Sequence, residues 1–209
     1  MDPFEHALRS EAELREIYAP PSGLAATKEI DHLDDAACEL IACSSLVFVA
    51  TYGASGRCDV TPRGGPPGFV QVLDGGRLAI PDATGNRRID TSRNIVETGQ
   101  AGLIFLVPGR SWTLRVNGRA CVTTEPSLLD ALPPVGKPPR TAIIVEPREV
   151  FTHCPKAFIR SRAWEPESWL PADAQPSPAE VLHAHVGDPQ LTVAAIEESL
   201  AESLRSRLD

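Results

Sequence analysis

The sequence predicts a mainly β fold with flanking helices, in which short antiparallel strands close into a barrel. Three observations carry this reading. Short apolar or alternating runs follow one another between residues 47 and 151 with turn residues between them. One helical stretch is inserted midway, and the longer helical stripes lie at the two ends of the chain. The connections are also too short for a parallel α/β sheet, which needs a crossover helix after nearly every strand.

The elements follow in order. Residues 4–18 carry Leu8, Leu14 and Ile17 among charged neighbours and predict a helix that Pro20, Pro21 and Gly23 end. A second helix is predicted over 28–43, where Ile30, Leu33, Ala37, Leu40 and Ile41 form a helical stripe. Runs 47–50 and 58–61 flank the Gly53–Gly56 turn as a hairpin, and 69–73 and 77–80 flank Asp74-Gly75-Gly76 as another. A helix is predicted over 88–98. A third hairpin, 101–107 with 112–123, turns at Pro108-Gly109-Arg110-Ser111. A short helix over 127–131 and a Pro/Lys loop over 133–140 precede the last long strand, 141–151. Residues 166–178, rich in Pro, Ala and Ser, read as a surface linker. A final amphipathic helix presents Leu191, Ala195, Ile196, Leu200, Leu204 and Leu208 for packing on the barrel or on a second subunit.

At 209 residues and 42% apolar content, the chain is expected to form one domain overall. Its parts are an N-terminal helical segment (1–45), the barrel (46–165), and a linker with a C-terminal helix (166–209). The net charge of −8 argues against nucleic acid as a partner. The longest apolar run, 40–51, includes Ser44 and Ser45 and falls short of the roughly 20 apolar residues of a membrane helix, so no membrane association is expected. The acidic start Met-Asp-Pro-Phe-Glu-His lacks the layout of a secretory signal, and a cytoplasmic protein is expected. Cys38, Cys43, Cys58, Cys121 and Cys154 are odd in number and include no C-x-x-C pair, which predicts reduced thiols and neither a disulfide framework nor a closed zinc site.

Chemistry concentrates between Leu78 and Asn94. An apolar strand breaks at Gly85-Asn86 and delivers Arg87 and Arg88 at a predicted helix start. Free backbone N–H groups and the positive end of the helix dipole favour an anion there, and guanidinium groups add charge-assisted donors. Arginine itself is repelled by that dipole. Two arginines in the first turn therefore point to an anion of about two charges, such as a phosphate monoester, the alternative being an exposed basic turn that binds nothing. From Arg57 to Arg119 there are nine arginines and five acids, so a basic centre lies inside an acidic remainder, a pattern that suits an anionic small molecule better than a polymer.

Four blocks resemble the FMN-binding split barrels of the pyridoxamine 5'-phosphate oxidase-like superfamily. They are Phe48 to Thr51 with Asp59-Val60-Thr61-Pro62-Arg63-Gly64; Leu78 to Asp82 with Gly85-Asn86-Arg87-Arg88; Thr113 to Ala120; and His153-Cys154-Pro155-Lys156 through Ser161. The combination looks closest to an uncharacterised FMN-dependent subgroup. It lacks the Arg-Lys pair and C-terminal Trp-Arg segment of the true oxidases, so pyridoxamine phosphate is not implied as substrate. The resemblance implies a six-stranded antiparallel FMN-binding split β-barrel, assembled as a homodimer.

The resemblance also implies the cofactor-binding residues. Asn86, Arg87 and Arg88 would hold the FMN phosphate. Thr61 and Arg63 would sit at the flavin, with Arg63 either at the O2/N1 edge or ribityl chain or tying the Gly-rich loop. Asp82 and Thr113 match flavin-contacting strand positions. Lys156, Arg160 and Ser161 would reach the site, across the dimer interface as in these barrels. Arg115 and Arg119 share a strand face by period-two spacing and face either the site or solvent. Trp164 and Trp169 are stacking candidates or boundary packing. No nucleophile or triad stands out, as expected when the cofactor carries the chemistry, and His153 reads as structural or as a general acid/base. The implied function is an FMN-dependent oxidoreductase acting on a small organic substrate, with NAD(P)H or oxygen as partner. The alternatives are a non-catalytic flavin-binding storage or sensor protein, or a barrel using FAD, F420 or haem.

Overall fold

The computed structural model describes residues 2–83, 85 and 87–206. Its seven strands are β1 (Leu46–Tyr52), β2 (Cys58–Gly64), β3 (Gln71–Val72), β4 (Leu78–Asp82), β5 (Gln100–Leu106), β6 (Thr113–Thr123) and β7 (Thr141–His153). They form one antiparallel sheet in the order β2-β1-β5-β6-β7-β4-β3. The two edge strands, β2 and β3, are neighbours in the chain and joined only by residues 65–70. The sheet therefore has to curl until its edges approach, giving a barrel that backbone pairing leaves split between β2 and the β4–β3 side. The resemblance implies six strands; the additional one is the two-residue β3. The run expected over 69–73 is cut short because Phe69 N–H turns back to the Pro66 carbonyl at 3.0 Å, and Phe69 and Val70 enter the core from a turn.

Alternation explains the core. Val47, Val49, Leu103, Phe105, Leu114 and Val116 point inward from β1, β5 and β6, and meet Phe69, Ile80, Ile143 and Val145. Each such fully buried side chain contributes about 1.5–3 kcal/mol of burial free energy. Strand β4 is buried on both faces, because Ala79 packs under Leu132, just after α5 (Pro126–Ala131), while Leu78 and Ile80 face the barrel interior. Pro81 is tolerated in β4 because β3 pairs only as far as Ala79, so the missing N–H interrupts no ladder on that side.

Caps redraw the helices. In place of one helix over 4–18 there are a 3-10 turn at Pro3–His6 and α1 (Glu11–Ile17), because the Ser10 hydroxyl accepts from Glu13 N–H and starts a new helix. The helix expected over 28–43 is shortened to α3 (Asp35–Cys43), and a separate short α2 (Leu24–Thr27) precedes the expected start. Asp34 caps α3 by accepting from Ala37 N–H at 2.8 Å, and Ile30 instead exchanges backbone hydrogen bonds with Val150 at 3.0 and 2.7 Å. The midway helix, α4, spans Asp90–Thr98, and α6 spans Lys156–Ser161. The 166–178 stretch carries 3-10 turns at Pro166–Ser168 and Ala172–Ala174. The single C-terminal helix expected is two, α7 (Pro178–Val186) and α8 (Val193–Ser206), packed against each other. A capping box at Ser177 and Glu180 starts α7, and Gly187 ends it at φ +65°. Ile196 of the predicted stripe is buried and Leu204 is exposed, while Leu208 lies outside the described residues. Among the described residues, no helix is long and apolar enough to cross a membrane.

The β6–β7 pairing slips at Asn117/Gly118, and there the backbones come so close that a Cβ on Gly118 would lie 2.0 Å from the Glu146 carbonyl oxygen. A backbone atom held in a ladder cannot give way. Gly118→Ala is expected to destabilise the fold by at least about 2 kcal/mol, within the range of overpacking and backbone-strain effects, seen as a lower urea midpoint. An unchanged midpoint contradicts this packing.

Candidate functional site

The site begins with a period-two pattern. Along β2, Asp59, Thr61 and Arg63 are half-buried on one face, while Val60, Pro62 and Gly64 are exposed. The Arg63 guanidinium reaches across the split in the barrel to Asp82 at the end of β4, Nε to Oδ1 at 3.2 Å. Its Nη1 donates to the Thr61 hydroxyl at 2.8 Å and the Pro62 carbonyl at 3.1 Å. Asp82 is held in turn, since its backbone carbonyl accepts from Arg140 N–H at 3.1 Å.

Beyond Asp82 the chain passes through Gly85, Arg87 and Ile89, all at positive φ (+46°, +62° and +52°), into α4. Left-handed backbone costs an L-residue about 1–2 kcal/mol, and more strain for a β-branched residue such as Ile89. Arg87 and Arg88 were expected in the first helical turn; they precede the Ile89 cap, so the dipole does not repel them from within the helix. Ile89 supplies no side-chain cap. Among the described residues, the first N–H groups of α4 have no capping side chain and Arg87 beside them has no ion-pair or hydrogen-bond partner.

Helix α4 is bolted to the β1–β2 hairpin at three levels. Thr91 Oγ1 donates to Asp59 at 2.7 Å, buried Asn94 donates to Thr51 Oγ1 at 3.1 Å, and Glu97 accepts from Ala54 N–H at 2.9 Å. Asp90 pairs with Arg88 at 2.8 Å and with Arg93. The hydrogen bond from Arg88 is the largest influence on Asp90 and holds its carboxyl below the usual aspartate value, while the same bond raises the Arg88 guanidinium.

Between β2, the end of β4 and the start of α4 lies a cavity of about 430 Å³, within the usual range for small-molecule sites. It brings together five of the residues singled out in the sequence: Thr61, Arg63, Asp82, Arg87 and Arg88. Asn86 lies outside the described residues. Sequence reasoning missed Phe69 and Val135, which add apolar wall, and Thr91 and Ser92, which line the cavity from the start of α4. Asp59 was legible only as part of a motif; its period-two spacing from Thr61 and Arg63 was the signal for its direction.

The remaining candidates do not line this cavity. Thr113 is buried at the start of β6 opposite His153. Arg115 lies with its guanidinium carbon 5.0 Å from the Phe151 ring centroid, and its Nε is buried without a hydrogen-bond partner among the described residues. Lys156, Arg160 and Ser161 are exposed on α6, where the Ser161 hydroxyl donates to the Phe158 carbonyl at 3.2 Å. Arg119 faces solvent and pairs with Glu146 at 2.8 Å. Trp164 stacks on Phe158 with centroids 5.7 Å apart, and Trp169 is exposed.

The pyridoxamine 5'-phosphate oxidase family model matches residues 33–154. Similar solved structures include HupZ from Group A Streptococcus (20% identity over 57% of this chain and 93% of that one, TM-score 0.46). Others are an FAD binding protein from Mycobacterium smegmatis (15%, 58% and 94%, TM-score 0.41) and a pyridoxamine 5'-phosphate oxidase-related, FMN binding protein from Nostoc punctiforme (12%, 55% and 75%, TM-score 0.39). No curated protein matches the chain.

The Arg88–Asp90 bond has a direct test. In a carboxyl NMR titration, Asp90 is expected to titrate below the ordinary aspartate value of about 3.9, and Arg88→Ala to move it upward. Because the folded-state value is depressed, the associated stabilisation is present above the ordinary value and is lost as pH falls through the folded-state one. An ordinary Asp90 midpoint contradicts the pairing.

Proposed function

The chain belongs to the pyridoxamine 5'-phosphate oxidase family, a flavin-binding split-barrel fold, and on that premise we propose that it is an FMN-binding flavoprotein: a cytoplasmic FMN-dependent oxidoreductase acting on a small organic substrate, with reduced pyridine nucleotide as electron donor. The observation that carries the proposal is the meeting of Arg87, Arg88 and the uncapped start of α4 on one wall of the cavity, with the Arg63–Asp82 pair on another.

The donor set fits the cofactor at both polar ends. Arg87, Arg88 and the N–H groups at the start of α4 would hold the phosphate, where the helix dipole and guanidinium forks act together. Arg63 would donate toward the polar edge of the flavin, oriented by Asp82 and Thr61. Asp82 draws off part of the Arg63 charge, which moderates how strongly this arginine favours an anionic ring. Phe69 and Val135 supply the apolar wall that a ring system needs. When bound, the flavin supplies hydride and electron transfer, and the chain supplies binding, orientation and electrostatics.

A homodimer completes the arrangement. Lys156, Arg160 and Ser161 are exposed and lie away from the cavity of their own chain, and a second copy would bring them to it. The outer face of β5 and β6, where Ile104 is exposed beside Arg115, is the surface proposed for the partner.

A charge-assisted hydrogen bond is worth about 1.5–3 kcal/mol. The double variant Arg87→Ala/Arg88→Ala is therefore expected to bind FMN at least about 100-fold more weakly by fluorescence titration, with an unchanged far-UV spectrum. Parental affinity in the folded double variant removes the phosphate assignment.

A further inference from the structure

A second cavity, of about 310 Å³, opens beside the first between α4 and the turn that joins β1 to β2. The two share Asp59, Arg88 and Asp90, so Arg88 stands in the wall between them. Beyond that wall the second cavity adds Arg57, Arg93 and Glu97.

Three guanidinium groups and three carboxylates therefore line one small space. The carboxylates are oriented from within the protein: Asp59 by the Thr91 hydroxyl, Glu97 by the Ala54 amide, and Asp90 by Arg88 and Arg93. Each carboxylate has two oxygens and about four acceptor positions, so acceptor capacity remains on all three. Arg57, exposed at the end of the hairpin, has no ion pair among the described residues.

Such a set is poorly suited to a simple ion of either sign, because a bare anion meets the carboxylates and a bare cation meets the arginines. It suits a ligand that carries both a phosphate and vicinal hydroxyls: guanidinium forks take phosphate oxygens, and carboxylates accept from a ribose diol. We infer that this second cavity is a binding site for a ribonucleoside 5'-phosphate, with Arg57 on the phosphate and Asp59 and Glu97 on the ribose hydroxyls. Two sources share this chemistry: the adenylate half of a flavin dinucleotide whose phosphate bridge crosses at Arg88, and the adenosine phosphate end of a separate pyridine nucleotide. The first of these rests on the flavin reading given above; the site itself does not.

The test is calorimetry on the full-length chain with AMP, FMN and FAD as probes, for the parent and for Arg57→Ala. AMP is expected to bind the parent, to bind it also when FMN is saturating, and to lose at least 10-fold in affinity in Arg57→Ala, whose FMN affinity stays parental. FAD binding at least 10-fold tighter than FMN, with that advantage lost in Arg57→Ala, assigns the site to a flavin dinucleotide. Equal FAD and FMN affinities with AMP still bound assign it to a separate nucleotide. A folded chain that binds FMN but not AMP, or an Arg57→Ala variant that binds AMP like the parent, overturns the inference. Binding of AMP without FMN leaves this site standing and removes the flavin reading.

Discussion

The fold depends on how one curled sheet is closed. Backbone pairing runs from β2 to β3 without joining them, and the connection of residues 65–70 holds the two edges near each other. Across the split the Arg63–Asp82 pair takes over from ladder hydrogen bonds. Both side chains are only partly exposed, at 24% and 20%, which lifts the pair out of the class of surface ion pairs that contribute almost nothing. Because the sheet stays open there, polar side chains of β2 and the end of β4 face a cavity that a fully hydrogen-bonded barrel would have filled with apolar ones.

Helix α4 fixes the other wall. Its bonds to Asp59, Thr51 and Ala54 fix the helix against the β1–β2 hairpin, and just ahead of it Arg87 and Ile89 sit in left-handed backbone that costs a residue with a side chain. Strain of this kind persists only where surrounding contacts over-determine it, and it clusters at binding sites. The energy is supplied by α4 packing Ile95 into the core and by the buried Asn94–Thr51 bond. In return, Arg87 and Arg88 stand at the mouth of the cavity and not along the helix.

The strands were legible as short apolar or alternating runs bounded by turn residues, which is a local property: β1, β5 and the start of β7 are near-continuous apolar runs, while the start of β6 alternates and Asp59, Thr61 and Arg63 alternate with exposed neighbours on β2. Helix boundaries were less legible. Ser10 and Asp34 sit within runs whose apolar spacing continues across them, and the choice between continuing and capping was decided by one hydrogen bond each and by the tertiary bridge from Ile30 to Val150. Of the residues that meet at the cavity, Arg87 and Arg88 were legible from the break at Gly85-Asn86 ahead of a helical stretch, and Thr61, Arg63 and Asp82 from the resemblance. The positions of Thr113, Arg115 and α6 relative to the cavity were not, since they depend on how far the sheet curls and on what covers its outer face.

The proposed flavin site between β2, β4 and α4, which would hold the cofactor by its phosphate and polar edge, is open to amide chemical-shift mapping of the isotopically labelled chain on addition of FMN. The largest shifts are expected at Thr61, Arg63, Asp82 and from Arg87 to Ser92, saturating at one FMN per chain. Saturable shifts confined to the helical segments at either end, or none in a folded chain, contradict it.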